Sequence, residues 1–480
     1  MKTYNKLILI LAIIGLFSSC QKFVEGYEKD PNGITFTVAE QELTATMLEN
    51  QFFHKADGMR LAMMWLNQAT GKDRQYKSLD NWNNASGSDF NGPWNEVYLT
   101  MVHADIVEKQ ADADGNIILR GMGKLYKAWA AGEAASLWGD VPFSQLNQYE
   151  LYPDPAYDTQ ASVFEQVQDL LDEAIADLNS GIGKINENRD FYFEGKTSKW
   201  VKIAHGLKAR FYLHRHQPEA YALALAEALQ GPSDVSDDLY AKFDSSEGTP
   251  FSKWNPTKFF NLVRSGYLDA SEAFPNLNHN NIFQLRKNTK TTDNRKAYNY
   301  AGNGLNAASG ATGTGKFFGD MPMVTYGEML LIATEAELRQ HPDATGINNA
   351  LTHYNTYRAL LTSGAYSGGY GTGTFDPYDA ADFDAGGIEN QDNIDPVKAF
   401  FRELFEERYI FFIGDYESFI DFARSFNDPM VPEYMKLHFD ANGPLYSGQP
   451  LRFIYPQNEK DANANFPGMI DINEALPLYR

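Results

Sequence analysis

In residues 162–178, SVFEQVQDLLDEAIADL, the apolar side chains Val163, Val167, Leu170, Leu171, Ala174 and Leu178 recur at three- and four-residue steps. That spacing lays one apolar stripe along an α-helix, and Ser162 with Glu165 supplies a capping-box pattern at its start. The same period predicts helices over 38–56, 58–69, 93–110, 117–138, 198–214, 217–229, 325–340, 347–362 and 396–412. Thr325 followed by Glu328 repeats the capping signal, and Pro342 marks the far end of that helix. Pro93 sits near a helix start, and Trp94 and Tyr98, four apart, share a face. Strand-like alternation is scarce. The chain is therefore expected to be mainly α, built from helix pairs, with no strict 34-residue repeat. Between the helices lie long loops rich in Asn, Gly, Ser and aromatics, over 67–92, 243–324, 363–395 and 440–480. Loops of that length in a folded chain usually serve a function or are disordered, and their aromatic content favours function.

The N-terminus reads as an export signal. Lys2 and Lys6 precede an apolar run from Leu7 to Phe17, and Ser18 and Ser19 are small residues before Cys20. The run is shorter than the roughly 18 to 20 residues that span a bilayer. Cys20 is the only cysteine, so the chain has no internal disulfide and no cysteine-based zinc site. A small residue followed by cysteine resembles the bacterial lipobox, although Phe17 stands where an aliphatic residue is usual. The expected organisation is a signal peptide over 1–19, an acylated Cys20 with a flexible tether over 20–33, and a single domain over 34–480. The alternative is an ordinary secreted protein with a spare thiol.

Loss of Lys2 and Lys6 with the signal would take the formal charge from -22 to -24. A chain this acidic lacks the basic face that nucleic acid demands, and bulk charge likewise disfavours anionic head groups. Aromatics make up 14% of the residues, enough to fill a large core and leave some for a binding surface.

Several short patterns look like known chemistry but lack its context. GATGTGKFF has Gly310, Gly315 and Lys316 at phosphate-loop spacing, yet Phe317 occupies the hydroxyl position and no strand precedes it. DADGN, from Asp112, begins like a calcium loop. Its sixth and twelfth positions are Ile117 and Gly123, so a helix-to-helix turn is expected instead. His205, His214 and His216 form the only histidine cluster, and residues two apart on a helix face different ways, which disfavours a metal site. Glu133, Glu335, Glu337, Glu406 and Glu407 could supply the paired acids of glycoside hydrolysis. Ion pairing on helix surfaces, with Arg339, Arg402 and Arg408 in reach of the last four, accounts for them more simply.

The loop over 71–93, GKDRQYKSLDNWNNASGSDFNGP, differs in kind. It combines Tyr76, Trp82 and Phe90 with Asp73, Arg74, Asn81, Asn83, Asn84 and Asp89. A sugar has an apolar C–H face and a polar rim, and is met by a flat aromatic ringed with amide, carboxylate and guanidinium groups. The competing reading has Trp82 plugging the core beneath the loop.

Six stretches, in order, resemble the SusD/RagB family of nutrient-binding outer-membrane lipoproteins of Bacteroidota. They are GMGKLYKAWAAGEAASLWGDVPFSQ (121–145), VFEQVQDLLDEAIADL, SKWVKIAHGLKARFYLHR, DMPMVTYGEMLLIATEAELR, FFRELFEERYIFFIGDYESFIDFAR and FIYPQNEKDANANFP. Gly414-Asp415-Tyr416 departs from the Glu-Gly-x-Arg common in the family. The resemblance implies a SusD-like fold of four degenerate TPR-like helix pairs with irregular loops as ligand face. It further implies a surface-exposed, lipid-anchored lid on a SusC-like TonB-dependent transporter barrel in the outer membrane, with no catalysis, no cofactor and no metal. The cargo would be an oligosaccharide or, in some members, a peptide; a surface glycosidase is the remaining alternative. Family ligand positions carried onto this chain nominate Trp82 to stack, Asp73, Arg74, Asp89 and Arg295 to bridge vicinal hydroxyls with Asn81 and Asn84 beside them, and Tyr298 and Tyr300 from NRKAYNYAG to wall the site.

Overall fold

Why one helix becomes the centre of the molecule follows from its sequence. IILRGMGKLYKAWAAGEAASLW is small or apolar except for a stripe of Arg120, Lys124 and Lys127 along one face, and a helix so nearly apolar has to be covered on most sides. In the computed structural model, which describes residues 38–243, 266–270, 273, 288–301, 304–305, 320–366, 373–432 and 448–480, it is surrounded by other helices. Residues Ala39–Arg480 form one unit, and Met1–Val38 a separate one that holds Cys20 and the tether outside the described residues.

The helices are α1 (Ala39–Lys55), α2 (Asp57–Trp65), α3 (Arg74–Leu79), α4 (Asn91–Ala113), α5 (Ile117–Trp138), α6 (Gln160–Leu178), α7 (Thr197–Arg215) and α8 (Pro218–Ala228). They continue with α9 (Lys296–Asn299), α10 (Tyr326–Gln340), α11 (Ala344–Thr362), α12 (Pro396–Phe411), α13 (Tyr416–Ser425) and α14 (Gln457–Ala462). From α4 onward the long helices pack in chain order, α4 on α5, α5 on α6, α6 on α7, α7 on α8, then α8 on α10 and α10 on α11, while α1 packs across the chain on α4. Short links such as Asp114–Asn116 enforce this, because they leave a following helix no option but to fold back. A Cβ on Gly123 would meet the Ala104 carbonyl of α4 at 2.7 Å, and one on Gly132 would meet the Phe211 ring of α7 at 2.4 Å. Those two glycines let α5 approach both partners closely.

Among the described residues the strands are short and pair in twos, all antiparallel: β1 (Thr70–Gly71), β2 (Leu239–Ala241), β3 (Leu268–Asp269), β4 (Thr291–Asp293), β5 (Tyr300–Ala301), β6 (Gly304–Leu305), β7 (Met321–Val324) and β8 (Gly373–Phe375). The partners are β1 with β3, β2 with β7, β4 with β8, and β5 with β6.

Helix starts carry the caps that free N–H groups require. The Asn116 side chain accepts from Leu119 N at 3.1 Å, Thr325 from Glu328 N, Asp343 from Thr345 N, Asp395 from Val397 N, and Asp415 from Glu417 N. One expectation is corrected here: α6 begins at Gln160, and its cap is Thr159, which accepts from Ser162 N, rather than Ser162. Gln160 is held into the core by its own side chain, which donates to Ala135 O at 3.0 Å, so the first turn extends further back.

A second correction concerns the glutamates. Glu133, Glu335, Glu406 and Glu407 are not surface ion pairs but at most 2% exposed. Arg210 donates to Glu328 at 2.7 Å and to Glu133 at 2.9 Å, Arg408 to Asp421 at 2.6 Å, and Arg424 to Glu335 at 2.5 Å. Burial raises Glu133 to about 8 while Arg210 pulls it down. His214 belongs to this interior, its ring bridging Ser136 at 2.9 Å and Glu417 at 3.1 Å. Glu133, Glu335 and Glu407 are tolerated this deep because each lies against an arginine, Arg210, Arg424 and Arg295 respectively.

Residues 451–480 close the molecule rather than trailing as a loop. Phe453 N donates to Leu137 O at 2.8 Å, Trp138 Nε1 to Ile454 O at 3.0 Å, and Leu451 N to Ile472 O at 2.8 Å.

Candidate ligand-binding site

The loop between α2 and α4 is rigid because its aromatics are rooted. Trp65 Nε1 donates to Leu79 O at 2.9 Å and Arg60 Nε to the Tyr76 hydroxyl at 2.8 Å, which hangs α3 on α2. Tyr76, Trp82 and Phe90 are all buried. Trp82 is 6% exposed and part of the hydrophobic core, so its indole offers no open face for a sugar, and the stacking role expected of it is corrected. Burying the rings turns the loop's polar groups outward.

Asp73 caps α3, accepting from Arg74 N at 2.9 Å. Arg74 itself sits in left-handed backbone, with φ at 51°, and its side chain is 66% exposed. Its guanidinium lies 5.4 Å from the ring centre of Tyr267 and 3.9 Å from the Asp73 carboxylate. The ring comes from the neighbouring chain segment, whose Leu268–Asp269 pairs with Thr70–Gly71, while Lys72 N donates to Tyr267 O at 2.9 Å. Asn84, also exposed, donates to Ser78 O at 3.0 Å, one turn along α3 from Arg74. Asp73, Arg74 and the half-buried Tyr267 therefore meet at the start of α3, while Asn84 lies at its far end. Asn81 and Asp89 are half-buried and engaged in local turns: Asn81 accepts from Asn83 N at 3.0 Å, and Asp89 accepts from Ser86 N at 2.8 Å.

The second nominated segment meets the first at its base, where the Tyr300 hydroxyl donates to Gln68 O at 2.9 Å. Two of its residues do not reach a surface. Tyr300 is 4% and Arg295 5% exposed. Arg295 is clamped by Glu407 at 2.5 and 2.8 Å and by Asp293 at 2.7 Å, and lies 5.2 Å from the centre of the Phe375 ring. Burial works against the guanidinium's charge, but those two carboxylates outweigh it and hold the proton well above the ordinary range. Its ligand-binding role is corrected to an internal ion pair, and that of Tyr300 to a buried anchor. Tyr298 remains half-buried, near Tyr240.

Sequence reasoning missed the tyrosines around Asp238. The buried Asp238 carboxylate accepts from Tyr326 N at 2.7 Å and interacts with the half-buried Tyr240 and Tyr366 hydroxyls. Burial lifts its pKa to about 7 against those donors. The signal was present for Tyr240, since Leu239-Tyr240-Ala241 alternates buried, half-buried, buried as a strand demands. Among the described residues no cluster of three or more His, Cys, Asp or Glu could hold a metal ion, and no helix is long and apolar enough to cross a membrane. The glycine-rich segment Gly310–Lys316 lies outside the described residues.

A family described as SusD-like, starch-binding and associating with the outer membrane matches residues 25–360. The chain belongs to the SusD-like family. Its fold is similar to that of a SusD/RagB family protein from Bacteroides thetaiotaomicron, with a TM-score of 0.61 at 19% identity over 90% of this chain and 95% of that one. A SusD homolog from Bacteroides fragilis gives 0.64 at 16% identity over 92% and 100%, and a chitin-binding SusD homolog from Flavobacterium johnsoniae 0.62 at 16% identity over 92% and 98%. No curated protein matches.

Proposed function

We propose that this SusD-like protein captures oligosaccharide at the cell surface and serves as the lid of a SusC-like TonB-dependent transporter. The observation that carries the glycan reading is the surface at the start of α3, where the Tyr267 ring lies against the Arg74 guanidinium with the Asp73 carboxylate beside it. A guanidinium and a carboxylate side by side can bridge vicinal hydroxyls, and the ring meets the C–H face. Tyr267 thus takes the role first expected of Trp82. The family's association with starch and the outer membrane supports the reading, as does the chitin-binding homolog of the same fold. No reaction is proposed. Cys20 would be the lipid anchor, its multiple acylation giving the durable attachment that a single chain does not.

Isothermal titration calorimetry of the mature chain against maltooligosaccharides and chitooligosaccharides tests the reading. Binding to at least one series is expected, weakened about tenfold or more by Tyr267→Ala. Full affinity in Tyr267→Ala would remove the site from α3, and peptide rather than glycan co-purifying from cells would change the cargo. For the anchor, Cys20→Ala should release the protein from the outer membrane, and retention there would discard the lipobox.

A further inference from the structure

Away from the site beside α3, a groove of about 490 Å³ lies between α4, α5 and α6, roofed by the loop that follows α5. Its apolar lining is Phe143, Leu146 and Leu170. Four carboxylates line it, from Asp105, Glu108, Asp169 and Glu173, against two lysines, Lys109 and Lys127. Both lysines are already engaged: Lys109 pairs with Asp105 at 2.6 Å, and Lys127 with Asp105 at 3.2 Å and with Glu108. Asp169 and Glu173, one turn apart on α6, are exposed, and Glu173 pairs with Lys124 at 2.7 Å. The groove thus has an apolar lining and an acidic outer wall.

A second, independent feature adjoins it. Immediately after the groove residue Gln148, Tyr149 is 71%, Leu151 74% and Tyr152 41% exposed. Large apolar side chains standing together in water mark interaction surfaces. These are not on a loose loop. Asn147, in left-handed backbone at φ 56°, donates from its side chain to Asp105 at 2.8 Å. Leu151 N and Tyr152 N both donate to Gln148 O, at 2.9 and 2.8 Å, and Ala156 N to the Gln145 side chain at 2.8 Å. The Tyr98 hydroxyl ties Pro142 O to α4 at 2.7 Å. The backbone that carries the apolar groups is held in place before any partner arrives, which lowers the ordering cost of binding.

We infer that this groove and the Tyr149–Tyr152 turn form a docking surface for a segment of another protein that carries lysine or arginine beside apolar side chains. The apolar part would cover Leu151, Tyr149 and the groove lining, and the cation would meet Asp169 and Glu173. Charge complementarity selects the occupant: an acidic wall repels acidic segments and excludes anionic glycans. A leucine at 74% exposure fits a protein surface better than a neutral sugar, which gains from flat rings rather than branched aliphatics. The inference is independent of the glycan reading, because it concerns different elements.

Site-specific photo-crosslinking tests it in cells producing the full chain. With p-benzoylphenylalanine at Leu151, and separately at Tyr149, ultraviolet light should yield an adduct with one protein, and mass spectrometry should place the cross-link in a basic, apolar segment. The same probe at Leu229, exposed but outside this turn, should not yield that adduct. Asp169→Lys with Glu173→Gln, two exposed positions, should cut the adduct about tenfold while leaving glycan affinity unchanged. Absence of an adduct at both positions, an adduct confined to glycan or lipid, a cross-linked segment that is acidic, or an adduct indifferent to the α6 substitutions would each overturn the inference.

Discussion

Arg74 and Arg295 come from loops of similar composition, and similar reasoning nominates both for ligand binding. In the folded chain they are opposites. Arg295 is buried between two carboxylates, which accept from it at 2.5 to 2.8 Å, while Arg74 projects into water with the Asp73 carboxylate 3.9 Å away and a tyrosine ring behind it. What separates them is whether the fold brings carboxylates to the guanidinium. For Arg295 one is local, Asp293, and the other, Glu407, arrives from α12 more than a hundred residues later. The nearby acid could be read from sequence; the distant one could not.

The sharpest test of that contrast is Arg295→Ala. It leaves Asp293 and Glu407 buried without their cation, and should cost about 3–5 kcal/mol in chemical denaturation; a loss below about 1 kcal/mol would mean that the pair is solvated. Trp82→Ala comes next, at about 3 kcal/mol for an emptied core position, with little change in glycan affinity. If affinity collapsed while stability held, the indole would be a binding group after all.

Asp238 supplies a test through pH. Its folded pKa, about 7, lies above the ordinary carboxylate value, so the folded chain keeps a proton that the unfolded chain releases. Its contribution is therefore fully present below about pH 4 and is lost as pH rises through about 7. Asp238→Asn should flatten the fall in Tm across that window by the equivalent of about 4 kcal/mol, and an unchanged slope would show that the carboxyl titrates normally. The smallest stability effect belongs to Arg74→Ala, about 0.5 kcal/mol or less. Its consequence should appear instead as roughly tenfold weaker glycan binding, and full affinity would remove Arg74 from the site.

The helix stack was legible because periodicity is a local property. Ile117–Trp138 and Tyr326–Gln340 lie within one residue of where the apolar spacing put them. Where the reading failed, a distant partner decided the outcome. Glu335 looked like a surface acid because Arg339 lies one turn away, yet it also receives Arg424 from α13. Helix α13 is absent from the predicted helices: it is a separate ten-residue element that Gly414, at φ 81°, sets off from α12. The ligand face suffered most, since a loop aromatic carries no periodicity to say which way it points. Tyr76, Trp82 and Phe90 point inward, whereas Tyr267, in a stretch with no local signal, is only half-buried.

The closure of α5 by the C-terminal segment bears on the order in which the molecule can assemble. Trp138 completes its hydrogen bonding through a carbonyl 316 residues further along the chain. The helices emerge first and pair with their neighbours as they appear, but the end of the central one stays open until nearly the whole polypeptide exists. Contacts of such long sequence separation form late and slow the final step. Until then the chain is a set of helical hairpins with an unsealed centre, a form that exposes apolar surface and invites aggregation or chaperone capture.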